Sequence, residues 1–165
     1  MQFHGDLHKK YSCTINGALY SRSTRKILKG KEEWMKILKQ VADALSHIHK
    51  MGFLHNDLKE NNIVLDKRDN EITAVIIDFG KSRPISSPRG PKKLSISEQE
   101  NYKTKYPHID PQIVEGKSGE TITSDTFLRL AGKIANMCNF ELPDIFARSL
   151  DPKERATLQQ LISVL

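Results

Sequence analysis

The chain has 165 residues, one domain's worth of protein, and with 38% hydrophobic and 28% charged residues it has the composition of a globular chain that can bury a core. Only 9 Gly, 7 Pro and 2 Cys are present, which excludes collagen-like, disulfide-stapled and wholly disordered architectures. Lys plus Arg number 26 against 20 Asp plus Glu, and this net charge of +6 would suit nucleic acid, acidic membrane or a phosphorylated ligand without choosing among them.

Residues 1–7 carry no apolar segment of signal-peptide length, and no stretch approaches the roughly 18 apolar residues of a membrane span. Cys13 and Cys138 are too few and too far apart for a disulfide framework or a metal site, so free thiols in a cytoplasmic or nuclear protein are expected. No internal repeat is visible. Over residues 32–49, Trp34, Ile37, Leu38, Val41, Ala42, Leu45 and Ile48 recur at steps of three and four, which predicts a helix stopped by Lys50, Met51 and Gly52. The β-branched runs 63–65 and 72–77 flank the turn-forming stretch 66–70 and predict a small hairpin. Periodicity vanishes from Lys81 to about Pro111, a stretch rich in Pro, Ser and Lys that reads as a long mobile loop. Thr123-Ser124-Asp125 can cap a helix through Phe127, Leu130, Ala131 and Ile134, and Asp151-Pro152 can open a last helix carrying Leu158, Leu161 and Ile162. The expected fold class is mainly α with a small β-hairpin (α+β).

The informative stretch is His55-Asn56-Asp57-Leu58-Lys59-Glu60-Asn61-Asn62, followed after the hairpin by Asp78-Phe79-Gly80. Phosphoryl transfer asks little covalent work of a protein; it needs magnesium held against nucleotide phosphates and a carboxylate that orients the attacking hydroxyl. Asn62 and Asp78 offer hard oxygen ligands of the kind magnesium accepts. Asp57 is left for the hydroxyl, and Lys59 can place a cation on the transferring phosphate.

These motifs resemble the eukaryotic protein kinase family, whose catalytic loop reads His-Arg-Asp-Leu-Lys-x-x-Asn and whose magnesium loop reads Asp-Phe-Gly. Ser124-Asp125 and Asp151-Pro152-Lys153-Glu154-Arg155 resemble later family motifs, the former an aspartate that holds the catalytic loop. The resemblance implies ATP and Mg²⁺ as cofactors, a protein substrate and, from Lys59, serine/threonine specificity. It further implies that His55 and Phe79 stack in a hydrophobic spine, that Val64 lies beneath adenine, and that residues 1–7 form the inter-lobe hinge, with Gln2 and His4 toward adenine and Asp6 toward the ribose. The chain as a whole, 1–165, then corresponds to a hinge and C-terminal lobe with an activation segment at about 78–112; the N-terminal lobe, with its Gly-rich loop and strand lysine, is missing, and weak activity is expected of this piece alone.

Two positions depart from the family pattern. Asn56 replaces the arginine that receives an activation-loop phosphate, although Ser86, Ser87, Ser95, Ser97 and Thr104 remain available for modification and Ser87-Pro88 fits a proline-directed site. Gln112 replaces the glutamate that pairs with Arg155, which must find another carboxylate, such as Asp110 or Glu115, or leave the joint loose. Two other functions fit in part: a pseudokinase or binding module, and a small-molecule kinase similar to the aminoglycoside and choline kinases. His47, His49 and His55 make a poor metal set, because two helical residues two apart point in different directions. The basic residues Lys81, Arg83, Arg89, Lys92 and Lys93 lack interleaved aromatics and read as a solvated loop with no nucleic-acid role.

Overall fold

The apolar stripe of the first long helix organises the molecule. In the computed structural model, which describes residues 10–20, 28, 30–68, 71–86, 94–105, 119–151 and 153–165, helix α2 (Lys31–Lys50) buries Trp34, Ile37, Leu38, Val41, Ala42 and Leu45 along one face. Glu32 and Glu33 lie in its first turn and His47, His49 and Lys50 in its last, the polarity that favours a helix dipole. The Met51 and Gly52 amides donate to the carbonyls of His47 and His49, and Gly52, at φ 82°, turns the chain out of the helix where a Cβ would be strained. The sequence expectation for this helix is met within a residue at each end.

Ahead of it, strand β1 (Lys10–Thr14) runs directly into a short helix α1 (Ile15–Tyr20) that buries Ile15, Ala18 and Leu19. The predicted hairpin is present as β3 (Ile63–Arg68) and β4 (Glu71–Ile76), longer in its first strand than the β-branched run alone suggests. The sheet order is β1-β3-β4, all antiparallel, with Cys13 opposite Leu65 and Leu65 opposite Ala74. Gln40 of α2 covers the edge of β4, donating to the Ile72 carbonyl at 2.9 Å and accepting from the Ala74 amide at 2.8 Å. A second ribbon pairs β2 (Phe53–Leu54) with β5 (Arg83–Pro84), so that the stretch after Asp78 returns to the end of α2.

Three expectations are corrected. The stretch from 81 to 111 is not a continuous loop: β5 is followed by helix α3 (Ile96–Lys105), which has no buried residue and so carries no apolar stripe to betray it. Its start is held by Ser95, whose hydroxyl and amide both reach the Glu98 carboxylate, at 2.6 and 2.9 Å. Helix α4 (Glu120–Cys138) begins before the predicted Thr123-Ser124-Asp125 cap; the Thr123 and Ser124 hydroxyls instead donate back to the carbonyls of Gly119 and Glu120 inside the helix. The chain next forms α5 (Asp144–Arg148), and the last helix, α6 (Leu158–Ile162), opens at Thr157 rather than at Asp151, through a reciprocal cap with Gln160.

Phe127, Leu128, Ala131 and Ile134 of α4 and Leu158, Leu161 and Ile162 of α6 close one core with α1, α2 and the inner face of β3. The described structure is therefore mainly helical with small antiparallel sheets. No helix among the described residues is long and apolar enough to cross a membrane.

Candidate active site

Residues 55–59 form an irregular loop between β2 and a helical turn at Glu60–Asn62, moored by Leu54 and Leu58 in the core. His55 is fully buried and serves as its joint. Its Nδ1 accepts from the Asp57 amide at 3.3 Å and its Nε2 lies 3.0 Å from the Ile77 carbonyl. With Nδ1 accepting from that amide, Nε2 is the ring nitrogen that donates to the Ile77 carbonyl. The same ring meets Phe79 edge-on, with centroids 5.0 Å apart and an interplanar angle of 71°. The expected contact of His55 and Phe79 is thus present, as an edge-to-face meeting rather than a stack. His47 is exposed while His49 is buried, and no group of three or more His, Cys, Asp and Glu suited to a metal occurs among the described residues.

Asp57 is buried beside His55, and both of its carboxylate oxygens are engaged. Oδ2 accepts from Lys59 Nζ at 2.9 Å and from Asn62 Nδ2 at 3.2 Å, while Oδ1 faces Lys81 Nζ at 3.1 Å. Burial pushes the Asp57 carboxyl up, but the hydrogen bonds and charges of Lys59 and Lys81 outweigh it and hold the group below its ordinary value. Asn62 Nδ2 also donates to the Asp57 carbonyl at 2.8 Å, which fixes the loop across its five-residue span. The amide nitrogen is committed to Asp57, so Asn62 Oδ1 is the end left for a cation.

The second loop is tied to the first at successive residues. The Ile77 amide donates to the Asn62 carbonyl at 2.9 Å, which brings Asp78 next to the Asn62 turn. Asp78 adopts a left-handed backbone, φ 64°, unusual for a residue with a Cβ. Its Oδ1 accepts from the Gly80 amide at 3.3 Å, and a Cβ on Gly80 would stand 3.2 Å from that oxygen, so glycine leaves the carboxylate its place. Asn56, also left-handed at φ 62°, donates its side-chain amide to the Lys81 carbonyl at 3.2 Å, and the Ser82 hydroxyl donates to the His55 carbonyl at 3.4 Å. Asn56 therefore joins the two loops through a neutral bond at the position where arginine is usual in the family pattern. The free ends of Asn62 and Asp78 are an amide oxygen and a carboxylate, the hard donors a magnesium ion takes alongside phosphate oxygens and water. Val64, half-buried on β3, lies between Thr14 and Val75 in the sheet register.

Sequence patterns did not single out Lys81 for Asp57, nor Lys133 of α4 as the partner of Glu60. Glu60, buried in the turn after Lys59, is paired with Lys133 of α4, whose ammonium lies 5.8 Å over the Tyr20 ring. The Glu60 hydrogen bond raises the Lys133 pKa against the opposing effect of burial. Asp125, also on α4, accepts from Arg129 Nε at 2.6 Å and from Arg155 Nη2 at 2.7 Å. Among the described residues, Asp125 is thus a carboxylate that Arg155 finds. Asp110, Gln112 and Glu115 lie outside the described residues, as do Gln2, His4 and Asp6 of the expected hinge and Ser87-Pro88.

Comparison with known proteins agrees with these motifs. The family model described as protein kinase domain matches residues 9–127. A "Probable LIM domain-containing serine/threonine-protein kinase" of Dictyostelium discoideum is 33% identical over 84 residues, 47% of this chain and 12% of that protein. Calcium-dependent protein kinase 27 of Arabidopsis thaliana is 28% identical over 90 residues, covering 54% of this chain and 17% of its own length. Ribosomal protein S6 kinase alpha-2 of Homo sapiens is 32% identical over 82 residues, 50% of this chain and 11% of the human protein. The match thus spans well under a fifth of each relative's length.

Proposed function

Because this chain belongs to the protein kinase family, we propose that its site transfers the γ-phosphoryl group of ATP to a serine or threonine hydroxyl of a protein, within a complete kinase of which these residues form the C-terminal lobe. The observation that carries the reading is the cross-bonding of the two loops: Asp57 is held by Lys59 and Asn62 on one side, and Asn62 is bonded in turn to the residue preceding Asp78. In this reading Asp57 accepts the hydrogen bond of the acceptor hydroxyl and takes its proton as the new oxygen–phosphorus bond forms and the bond to the leaving diphosphate breaks. Lys59 stands beside that carboxylate and stabilises charge on the transferring oxygens. Asn62 and Asp78 would hold Mg²⁺, whose chemistry is to neutralise charge on the nucleotide phosphates. Val64 would contact adenine, and Asp6 the ribose.

Serine/threonine specificity draws support from Lys59 and from the names of the relatives. The lobe assignment draws support from Val75 and Phe79, apolar side chains 47% and 50% exposed beside the metal loop, a surface suited to a covering layer. In the complete protein, Asp57→Asn should lower the rate of phosphoryl transfer by about 10² to 10⁴-fold, the scale of a lost general base, without weakening Mg²⁺–nucleotide binding. Undiminished transfer by that variant would reject the assignment. One observation favours a binding module instead: both Asp57 oxygens already face lysine ammonium groups. Nucleotide binding with no transfer to any protein by the complete wild-type chain would select that reading.

A further inference from the structure

Lys81 has no place in the roles assigned above, yet it closes the carboxylate on which they depend. Asp57 Oδ2 is shared by Lys59 and Asn62, whereas Oδ1 has Lys81 Nζ as its partner among the described residues and is the oxygen laid open if that ammonium withdraws. The two ends of Lys81 differ in constraint. Its carbonyl is gripped by the Asn56 amide and its turn is closed by the Ser82 amide on the Phe79 carbonyl, while 66% of its side chain lies in water. A fixed base with a solvated arm lets the ammonium swing without disturbing either loop. Arg83, two residues on in β5 and opposite Leu54, is also exposed, so among the described residues the segment after Asp78 adds the cations Lys81 and Arg83 to Lys59.

We propose that Lys81 is an electrostatic gate on Asp57: its ammonium covers the oxygen an acceptor hydroxyl must reach, and a carboxylate flanking that hydroxyl in the substrate draws it away. The inference rests on the reading of Asp57 as the carboxylate that orients the acceptor, and it names the substrate class, a serine or threonine next to acidic residues. An ammonium displaced into water loses its ion pair, while one displaced onto a substrate carboxylate exchanges one pair for another. A neutral substrate must open the gate unaided; an acidic one supplies the new partner. Lys81 is accordingly a specificity-determining residue.

The test follows the Lys81 ammonium by NMR in the ¹⁵N-labelled 165-residue chain, its signal assigned by loss in Lys81→Arg. Asp57→Asn should move that signal, and so should a serine peptide flanked by glutamates, whereas the same peptide with glutamines should leave it in place. In affinity measurements the wild type should favour the glutamate peptide over the glutamine peptide, and Lys81→Met should reduce that preference by about fivefold, the scale of one exposed ion pair. Lys81→Arg, which keeps the cation, should retain most of it. A Lys81 signal indifferent to Asp57→Asn, or one that answers both peptides alike or neither, would overturn the gate, as would an unchanged preference in Lys81→Met. Failure of the catalytic reading is distinguishable, since it is seen as full phosphoryl transfer by Asp57→Asn whatever Lys81 does.

Discussion

Asp57 and Asp125 are both buried carboxylates, each paired with two cations among the described residues, yet their surroundings suit opposite purposes. Around Asp57 the cations are lysines, with side chains 30% and 66% exposed. Around Asp125, itself wholly buried, they are arginines, Arg129 32% and Arg155 only 7% exposed. A lysine ammonium is a compact, well-hydrated charge on a flexible stem and can be exchanged for water or ligand; an arginine fork is planar, pre-organised and weakly hydrated. Withdrawing Arg155 would leave a charge stranded in the interior, whereas withdrawing Lys81 would send its charge into solvent. Burial and a pair of cations therefore do not mark a catalytic carboxylate by themselves. Lys59 and Arg129 are alike in exposure, so it is the second cation, Lys81 in water or Arg155 in the interior, that separates a carboxylate that can change partners from one that fastens α4 to the segment before α6.

The contrast is broken most directly at Asp125. Asp125→Ala should destabilise the fold by about 3 to 5 kcal/mol, because it leaves Arg155 buried without this partner; a loss under about 1 kcal/mol in urea denaturation would place both aspartates in one class. Asp57→Asn should cost the fold no more than about 1 kcal/mol, since its lysines return to water. The same variant should alter acid stability with a definite sign. Burial pushes the Asp57 carboxyl up and its lysines pull it down further, so the folded group lies below its unfolded value. The unfolded chain then binds more protons in that window: the stabilisation is complete above the unfolded carboxylate value and is lost as pH falls through the folded one. A stability–pH curve for Asp57→Asn that is no flatter than wild type below about pH 4 would refute this. Smaller again is Asn56→Ala, expected to cost about 1 kcal/mol, as it removes the bond to Lys81 and leaves alanine at a positive φ.

The legible parts of the fold were those that bury an apolar face. The stripe on α2 and the β-branched runs of β3 and β4 announce themselves because burial imposes a period of 3.6 or 2 on the sequence. Helix α3 buries nothing and left no period, although Ser95-Ile96-Ser97-Glu98 carries the spacing of a cap that could have found it. The start of α4 was misplaced because hydroxyl residues serve equally as caps and as internal back-bonding groups, and composition does not tell the two apart. In the candidate site, the cluster of Asp57, Lys59 and Asn62, and the approach of Asp78 to it, followed from motif order. Lys81 on Asp57 and Lys133 on Glu60 were hidden, being contacts between segments 24 and 73 residues apart that no local pattern encodes.

The smallest effect concerns a third kind of titratable contact, lying between the other two in character. His49 is buried at the end of α2, its Nδ1 4.0 Å from the Glu120 carboxylate and its Nε2 without a hydrogen-bond partner among the described residues, in a cavity also lined by Lys50, Ser124 and Arg155. Burial pushes its pKa down and Glu120 only partly restores it, so the folded imidazole is neutral where the unfolded one begins to charge. The unfolded state then binds more protons below the ordinary histidine value of about 6.5, and stability declines as pH falls from there toward the folded value. Glu120→Gln should deepen the depression, by removing the one anion that favours the imidazolium, and so extend the decline to lower pH. His49→Gln should flatten it. Thermal melts of the three proteins between about pH 7 and 5 decide the matter: a Glu120→Gln chain no more acid-sensitive than wild type would mean that Glu120 does not raise the His49 pKa, and a wild type that gains stability as pH falls would mean that His49 is charged in the fold, an ion pair after the manner of Asp125.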